Sequence, residues 1–382
     1  MRRKICVITG TRADYGIYYP VLRAMQRSGR MSLDIIATGM HLMREFGFTV
    51  KEIEKDGFKI AHRVPAPVTR DDGMSMAEAS ANALSGIAGA IKRSHPDVVL
   101  VLGDRGEMLA ASIAANFLNV PVAHIHGGEV SGNVDELFRH AITKLSHIHF
   151  PASAEAERRL VRLGEDRRTI FRCGAPALDV ILSKKYIGAD KVLERYGVSR
   201  RERYLVVLQH PVSTQADQAA GQMKITLEAV KGFGMPSVVI YPNSDAGGRR
   251  MIKVINRYRT VPGFRIVKNI PHDDYLVLLK YASALIGNSS SGIIEAPSLK
   301  VPAINIGIRQ SGRERSANVI DVPHAKKAIT RAIGKAIGDA AFRRKVRGCK
   351  NPYGDGHAAG RIVKALLGIK KREDLLKKHI GY

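Results

Sequence analysis

The sequence predicts an α/β protein of two Rossmann-like, doubly wound domains, and three observations support this fold class. Short apolar runs bounded by glycine or proline alternate with longer helical segments along the first half of the chain. A polar, charged stretch at residues 182–202 interrupts this alternation, which then restarts. The 382 residues also exceed a single hydrophobic core, which rarely grows beyond about 250–300 residues. Alternating strands and helices indicate parallel sheets covered on both faces.

The first predicted domain covers residues 1–183. Its strands are short apolar runs, as expected of parallel strands buried on both faces, and they lie at 5–9, 33–38, 97–102, 120–125, 148–151 and 170–173. The longer segments between them are predicted helices, at 17–28, 76–92, 107–118, 135–146 and 154–163. Residues 10–16, with glycine at both ends, are predicted to turn from the first strand into the first helix.

The second predicted domain covers residues 184–382 and repeats the pattern. Its strands lie at 204–208, 237–241, 264–268, 284–286 and 303–306. Its helices lie at 215–231, 248–259, 273–281, 291–299 and 326–337, and a helical pair within 358–379 closes the chain. Two α/β domains of similar size imply that the active site lies in the cleft between them.

The chain is strongly basic, with 61 Lys and Arg against 35 Asp and Glu and a net charge of +26. Such a charge favours polyanionic partners. However, the basic residues are spread over several helices, and no nucleic-acid-binding module accompanies them. We therefore interpret the charge as a solvated surface and a favourable field for an anionic substrate. Weak association with nucleic acid or anionic lipid is the alternative.

Four features bear on location and metal content. No apolar run reaches the roughly 18 residues of a membrane span. Residues 1–4 resemble the start of a signal peptide, but the apolar run that follows is too short, so a cytoplasmic protein is expected. Cys6, Cys173 and Cys349 are far apart and odd in number, which predicts neither a disulfide framework nor a zinc site. The helical His-Glu-x-x-His metal motif is also absent from the sequence.

Charged and histidine residues follow the predicted strands 97–102 and 120–125, next to glycine. Ligands of open α/β sheets bind beyond the carboxyl ends of the strands, so residues at two neighbouring strand ends are expected to share a crevice. Several acids and histidines in one crevice are typical of proton transfer, whereas each one alone is equally explained as a cap or surface charge. The residues expected to converge are Asp104, Arg105, His124, His126, Glu129 and Asp135.

Two glycine-bounded turns are candidates for anion binding. Residues 10–16 place backbone amides and Arg12 at a helix start, which suits a phosphate, but the segment matches no known phosphate fingerprint and a plain turn is an equal alternative. Residues 287–292 offer three serine hydroxyls, more than one N-cap requires. We therefore favour phosphate binding there, with Glu295 one turn later placed to accept the hydroxyls of a ribose.

Three further residues follow strands of the second predicted domain. His210 ends the first strand of the second domain, which places it opposite the Asp104 cluster and suggests either an acid–base or a structural role. Arg309 and Arg313 follow the strand 303–306. Either arginine could pair with a diphosphate, and a solvated side chain is the alternative.

Together these segments resemble the hydrolysing UDP-N-acetylglucosamine 2-epimerase family of bacterial sialic-acid pathways. The resemblance runs in order along nearly the whole chain, and its most specific part is Arg-His-Ala-Ile-Thr-Lys-Leu-Ser-His at 139–147. The other matching segments are 10–15, 37–42, 103–105, 124–129, 131–132, 135–136, 209–212, 287–292, 305–307, 309–310, 312–314 and 318–319. The family implies a two-domain GT-B fold with a C-terminal helix that packs back toward the first domain.

The resemblance also implies roles for individual residues. Asp104 and Asp135 match acids needed for turnover, and His210 matches the histidine at the domain junction. The UDP-sugar contacts expected by position are Arg12, Asp14, Arg105, Ser290, Ser291, Glu295 and Arg309. The implied reaction needs neither a metal nor another cofactor. A homodimer or tetramer is expected by analogy with the family.

The chain departs from the family pattern at His126. Many members read His-Ile-Glu-Gly-Gly-Glu, with a catalytic glutamate where this chain has His126. Histidine can also shuttle a proton, and Glu129 is a spare carboxylate nearby. We expect His126 and Glu129 to be catalytic, and we associate histidine at this position with relatives that take bacillosamine-type substrates.

The implied reaction converts UDP-N-acetylglucosamine and water to UDP and N-acetylmannosamine. The proton on C2 is not acidic, so a base removes it only as the anomeric C1–O bond breaks, which requires a good leaving group such as UDP. Elimination gives a glycal, to which water then adds. The alternatives are UDP-N,N'-diacetylbacillosamine as substrate, a non-hydrolysing epimerase, a glycosyltransferase, and a binding protein for nucleic acid or acidic surfaces.

Overall fold

Two parallel six-stranded sheets dominate the computed structural model and confirm the predicted α/β class. The structure describes residues 2–70, 72–130, 135–183, 186, 188–369, 375–378 and 381. The strands are β1 Arg3–Thr9, β2 Met31–Thr38, β3 Ile60–Val64, β4 Val98–Leu102, β5 Val122–Ile125, β6 Ile148–Phe150, β7 Leu205–Leu208, β8 Ser237–Ile240, β9 Phe264–Val267, β10 Ala284–Gly287, β11 Ala303–Ile306 and β12 Val319–Val322.

Helices connect successive strands in both halves, except between β11 and β12, where residues 307–318 contain no helix. They are α1 Arg12–Ser28, α2 Val50–Lys55, α3 Gly73–Ser94, α4 Gly106–Phe117, α5 Asp135–Leu145, α6 Ala154–Arg162, α7 Ala177–Ser183, α8 Ala189–Arg195, α9 Ala219–Lys231, α10 Gly248–Asn256, α11 His272–Tyr281, α12 Ser291–Ile294, α13 Ala296–Leu299, α14 Lys326–Gly338, α15 Ala340–Arg347 and α16 Ala358–Gly368. Short 3₁₀ turns lie at Gly39–Leu42, Arg44–Phe46, Arg167–Thr169 and Ser213–Gln218.

The strand order places a crevice at the same point of each sheet. The orders are β3-β2-β1-β4-β5-β6 and β12-β11-β10-β7-β8-β9. The chain therefore reverses its direction of winding between β1 and β4 in one sheet and between β7 and β10 in the other. Ligands of open α/β sheets bind at such switch points, beyond the carboxyl ends of the strands.

Hydrophobic residues fill both faces of the sheets. In β1, Ile5 and Val7 belong to one buried cluster, whereas Cys6 and Ile8 belong to another on the opposite face. This alternation of partners explains why the central strands are continuous apolar runs. The same rule made the central strands recognisable in the sequence.

The structure corrects the predicted start of the first helix. α1 begins at Arg12, because the Thr11 hydroxyl accepts the amide of Asp14 and the Asp14 carboxylate accepts the amide of Thr11, which forms a capping box. Gly16, predicted to end the turn, lies inside the helix. A Cβ there would lie 2.7 Å from the His272 ring. The glycine therefore permits close contact between α1, in the first half of the chain with strands β1–β6, and α11, in the second half with strands β7–β12.

The edge strands and the connection also differ from the prediction. β3 and β12 were not predicted, because both are edge strands with partly exposed, mixed side chains rather than apolar runs. The predicted strand 170–173 is reduced to one bridge between His149 and Ile170. The connection contains helix α8, and the predicted helix 291–299 divides at Glu295 into α12 and α13. We propose a domain boundary at residues 183/184, after α7.

Helix α16 and Lys378 lie against the first half of the molecule. Helix α16 packs against α1, and its residues Ile362 and Leu366 join the cluster that contains Tyr18 and Val21. The Lys378 ammonium donates to the carbonyls of Thr143, Lys144 and Ser146 at the end of α5. Among the described helices, none is long and apolar enough to cross a membrane.

Candidate active site

A cavity lies between the two sheets, at the carboxyl ends of their central strands. Both halves of the chain contribute to its wall. The site residues predicted from the sequence that line it are Arg12, Asp14, Asp104, Arg105, His126, Glu129, His210, Ser290, Ser291, Glu295 and Arg309. Asp135 begins α5, but its side chain lies outside the described part of the structure, as do residues 131–134.

His126 and Glu129 form a hydrogen-bonded pair in this wall. The His126 Nδ1 and the Glu129 Oε1 are 2.5 Å apart. Because an ionised carboxylate can only accept, the His126 Nδ1 donates this bond, and the neutral tautomer that does so has its lone pair on Nε2. This Nε2 is buried and has no hydrogen-bond partner among the described residues. His126 lines the cavity, so the pair has the composition of a general base oriented by a carboxylate.

The backbone at His126 has a left-handed conformation. Its φ of 64° is rare for a residue with a side chain. The His126 amide donates to the Phe150 carbonyl at 3.1 Å, and the Arg139 guanidinium donates to the His126 carbonyl at 3.0 Å. These two bonds hold the sharp turn after β5, which points the imidazole into the cavity instead of along the strand.

Glu129 is a buried carboxylate surrounded by cations. Its Oε2 lies 3.3 Å from the Arg313 Nη1 and 4.0 Å from the Arg139 Nη1. Burial raises the pKa of Glu129, but His126, Arg313 and Arg139 lower it more, so the net pKa lies well below its usual value. Glu129 is therefore ionised at neutral pH and can stabilise an imidazolium on His126.

Asp104 lies beside this pair and is held by Arg139. The Arg139 Nη2 donates to the Asp104 Oδ2. The Arg139 side chain is only 2% exposed, whereas that of Asp104 is 21% exposed. One buried guanidinium thus connects the Asp104 carboxylate, the His126 carbonyl and the Glu129 carboxylate.

His124 does not join the cluster that the sequence predicts. Its Nε2 bonds the Gly103 carbonyl at 2.7 Å, and its Nδ1 lies 3.4 Å from the Thr143 hydroxyl. Burial lowers the pKa of His124 to about 3. This histidine is a neutral structural residue that ties the end of β4 to β5.

Arg105 connects the two halves of the cavity wall. Its Nε lies 3.3 Å from the Glu107 Oε2, and its Nη1 lies 3.7 Å from the Asp245 Oδ1. Arg12 enters from the start of α1. Burial lowers the pKa of Arg12, partly offset by acids such as Glu52, and the guanidinium remains a cation available to a diphosphate.

Asp14 lines the cavity, but its carboxylate is used by the fold. The Oδ2 accepts the amides of Gly10 at 3.3 Å and Thr11 at 3.0 Å. Burial raises the pKa of Asp14 to about 6, which Arg105 only partly offsets. The carboxylate therefore caps α1 at the cavity floor.

This raised pKa predicts a pH-dependent cost in stability. Between about pH 4 and pH 6 the folded protein binds more protons at Asp14 than the unfolded chain, so ionisation lowers the free energy of unfolding as pH rises. Asparagine at position 14 does not titrate, so the Asp14→Asn variant should gain stability relative to the native protein as pH rises from about 4 to 6. Urea titrations at stepped pH measure it, and a constant difference would contradict the assignment.

His210 has the opposite tautomer to His126. Its Nδ1 accepts the Asn243 amide at 3.1 Å, so the neutral ring carries its proton on Nε2. Burial, with Arg309 and Arg105 nearby, lowers the pKa of His210 well below its usual value. The Asn288 side chain fixes the position by bonding the amide and carbonyl of His210 at 2.7 and 2.8 Å. His210 can donate a hydrogen bond but is a poor base.

The serine-rich turn divides its hydroxyls between structure and cavity. The Tyr275 hydroxyl donates to the Ser291 Oγ at 2.6 Å, and Ser291 donates to the Glu295 Oε2. The Ser291 hydroxyl is therefore occupied in orienting Glu295, whereas Ser290 borders the cavity. Arg309 donates to the Asn288 carbonyl at 3.3 Å, and its Nε has no partner among the described residues.

Sequence reasoning gave no individual role to Arg139 and placed Arg313 differently. Arg139 lies in the most specific motif, but only its position in α5 reveals the contact with Asp104. Arg313, predicted as a diphosphate ligand or a solvated residue, instead contacts Glu129. The described residues contain no cluster of three or more metal-ligating side chains.

The chain is similar to known proteins in sequence and in fold. Residues 23–367 match the family model described as UDP-N-acetylglucosamine 2-epimerase. The chain is 41% identical, over the whole of both proteins, to the UDP-N,N'-diacetylbacillosamine 2-epimerase (hydrolyzing) of Legionella pneumophila. It is 36% identical to the polysialic acid biosynthesis protein P7 of Escherichia coli, covering 97% of this chain and 96% of that protein.

The fold also matches solved structures. The UDP-GlcNAc 2-epimerase from Neisseria meningitidis, solved with UDP-GlcNAc bound, superposes with a TM-score of 0.81 and covers 96% of this chain and 100% of its own. At 20% identity this likeness concerns the two-domain GT-B fold alone. The family model and the full-length relatives decide membership: the chain belongs to the UDP-N-acetylglucosamine 2-epimerase family.

Proposed function

We propose that this protein is a hydrolysing UDP-N-acetylglucosamine 2-epimerase that releases UDP and N-acetylmannosamine. The observation that carries the proposal is the His126–Glu129 pair in the cavity wall, in which Glu129 binds the His126 Nδ1 and Nε2 has no hydrogen-bond partner among the described residues. A 2-epimerase needs a base at C2 and a stabilised diphosphate leaving group. The two sides of the cavity offer these separately, with the base on the first half and a hydrogen-bond donor on the second.

The elimination half of the reaction would use His126 as the base. Its Nε2 takes the C2 proton while the C1–O bond breaks and the electron pair of that bond leaves with UDP. The product of this step is a glycal with a C1–C2 double bond. Glu129, held ionised by its cationic neighbours, stabilises the imidazolium that forms. Its role is the same as that of the carboxylate in other carboxylate–histidine pairs.

The leaving diphosphate would be stabilised by residues of both halves, Arg12 from the first and Arg309 and His210 from the second. Arg12 and Arg309 supply positive charge, and the His210 Nε2–H donates a hydrogen bond to a departing oxygen. Ser290 and Arg105 are further contacts proposed for the diphosphate or the sugar, and Glu295 is the proposed acceptor for ribose hydroxyls. The buried, neutral state of His210 supports a donor role rather than a basic one.

The hydration half returns a proton to C2 and a hydroxyl to C1. Water supplies the hydroxyl, and the proton must arrive on the face opposite to the one it left. Asp104, which borders the cavity while paired with Arg139, and Asp135, at the start of α5, are the acids proposed for this half. Substrate and water then balance with UDP and the 2-epimer.

A second substrate, UDP-N,N'-diacetylbacillosamine, is favoured by the relative that is 41% identical over its full length. The two sugar nucleotides differ only in the sugar, at C4 and C6, so the same residues can carry out either reaction. Initial rates measured in parallel with the two sugar nucleotides, with UDP release as the signal, test both candidate substrates. Release from either one supports the hydrolysing activity, and the ratio of kcat/KM assigns the substrate. Failure with both would refute the proposal.

We also propose that the protein forms a homo-oligomer through the outer surface of α4 and α5. These helices pack side by side and expose two large apolar residues, Phe117 at 81% and Leu137 at 68%. The replacement Phe117→Asp is expected to shift a dimer or tetramer toward the monomer, because it places a charge in an apolar contact. Light scattering after size exclusion measures this. A native protein that is already monomeric would contradict the proposal.

A further inference from the structure

Arg313 reaches from the half of the chain that carries the second sheet to the catalytic pair of the first. It lies between β11 and β12, yet its Nη1 is 3.3 Å from the Glu129 Oε2 and its Nε donates to the Val130 carbonyl at 3.2 Å. The Arg313 side chain is nearly buried, as is that of Glu129. The contact exists only while the two halves are together.

Gly312 provides a second, independent sign that this contact is close. Its φ of 77° suits glycine, and a Cβ at this position would lie 2.8 Å from the Val130 Cγ2. The segment before Arg313 therefore needs glycine both for its backbone conformation and for its approach to the first half. Without that approach the guanidinium cannot reach Glu129.

From these contacts we propose that Arg313 is a positioning residue that completes the His126–Glu129 pair when the second half is seated on the first. This inference rests on the proposed function of that pair. Arg313 fixes one carboxylate oxygen, which leaves the other to orient the imidazole. Proton abstraction at C2 is thereby restricted to the assembled cleft, where the leaving diphosphate meets stabilising residues from both halves.

The arrangement also explains how the charge of His126 is balanced. Arg313 contacts the same carboxylate as the His126 ring, so its positive charge opposes a second positive charge on that ring. The other charged or titratable groups facing the pair are Arg139 from α5, Asp104 through Arg139, Arg159 through the Gly128 carbonyl, His124, and Tyr353. Of the described cations that face the pair, Arg313 is the one that comes from the second half.

Arg249 offers a matched control. It also crosses between the halves, where it bonds the Glu45 Oε1 at 2.6 Å and the Val68 carbonyl at 2.7 Å, but it does not line the cavity. Replacement of Arg249 by glutamine weakens the contact between the halves without touching Glu129. Arg313→Gln removes a comparable pair of contacts at the catalytic pair itself.

We expect Arg313→Gln to lower kcat by roughly tenfold to a hundredfold, as misplaced catalytic groups do, with the UDP dissociation constant within about threefold of native. The acid limb of the pH–kcat profile should move to higher pH, because Glu129 then holds an imidazolium more strongly. Arg313→Lys should recover part of the rate, Gly312→Ala should behave like Arg313→Gln, and Arg249→Gln should change neither kcat nor the profile.

Three results would overturn the inference. The first is a native kcat in Arg313→Gln. The second is a loss of UDP affinity in Arg313→Gln as large as the loss of kcat, which would make Arg313 a diphosphate ligand. The third is an equal effect of Arg313→Gln and Arg249→Gln on kcat. If the native protein turns over neither sugar nucleotide, the proposed function fails, and a second readout still decides. The ring-nitrogen NMR shifts of His126 with UDP bound must change in Arg313→Gln and not in Arg249→Gln.

Discussion

Turnover of the UDP-sugar by the His126→Asn variant is expected to fall by about 10²–10⁴-fold, the usual contribution of a positioned general base. Asparagine is chosen because it tolerates the left-handed backbone at this position. It retains the shape of the turn but has no lone pair of comparable basicity. Steady-state rates of UDP release, together with UDP binding and urea unfolding, measure the effect and separate catalysis from folding.

Glu129→Gln is the companion variant for this prediction. It keeps the side-chain shape but cannot balance an imidazolium, so its rate should lie between those of the native protein and His126→Asn. UDP binding should stay close to native in both variants. A His126→Asn protein that retains the native rate within a few fold would show that another group removes the C2 proton.

The largest loss of stability is expected for Arg139→Met. This guanidinium is nearly inaccessible and holds Asp104, the His126 carbonyl and the buried Glu129. Removing one partner of a buried ion pair typically costs about 3–5 kcal/mol, because the remaining charge is left uncompensated. Urea unfolding at neutral pH should therefore show a loss of this size.

An exposed ion pair provides the control. Arg158 pairs with Glu155 on the surface of α6, with a side chain that is 63% exposed. Arg158→Met should change the unfolding free energy by no more than about 0.5 kcal/mol. If Arg139→Met costs as little as Arg158→Met, then Arg139 does not organise the site as its contacts indicate.

Strands buried on both faces were predictable from the sequence. β4, β7 and residues 5–8 of β1 are continuous apolar runs, because their side chains enter one of two cores. β3 and β12 lie at sheet edges and mix polar with apolar residues. Their pairing depends on neighbouring strands rather than on their own composition, so no local pattern indicated them.

The location of the site was predictable for the same reason. Residues beyond the ends of β4 and β5 must meet at one edge of a parallel sheet, and Asp104, His126 and Glu129 line one cavity. The functions of Asp14 and Ser291 were harder to predict. Both border the cavity, but their polar groups are used by the capping box and by Glu295. Sequence shows proximity to a site but not which atoms the fold already occupies.

The contacts that define the catalytic pair depend on tertiary structure. The bond between His126 and Glu129 requires a left-handed residue and the turn that follows it. The contact of Arg313 with Val130 joins residues 183 positions apart. That contact depends on how the two halves are placed relative to each other, so the local sequence pattern does not predict it.

The central claim is that the enzyme epimerises by proton abstraction at C2 with release of UDP. Proton NMR of the purified protein in heavy water, with UDP-N-acetylglucosamine and UDP-N,N'-diacetylbacillosamine in parallel samples, tests it most directly. The proposed reaction yields free UDP and a 2-epimeric sugar that carries deuterium at C2. A product that keeps its C2 proton, or a 2-epimer still attached to UDP, would contradict it.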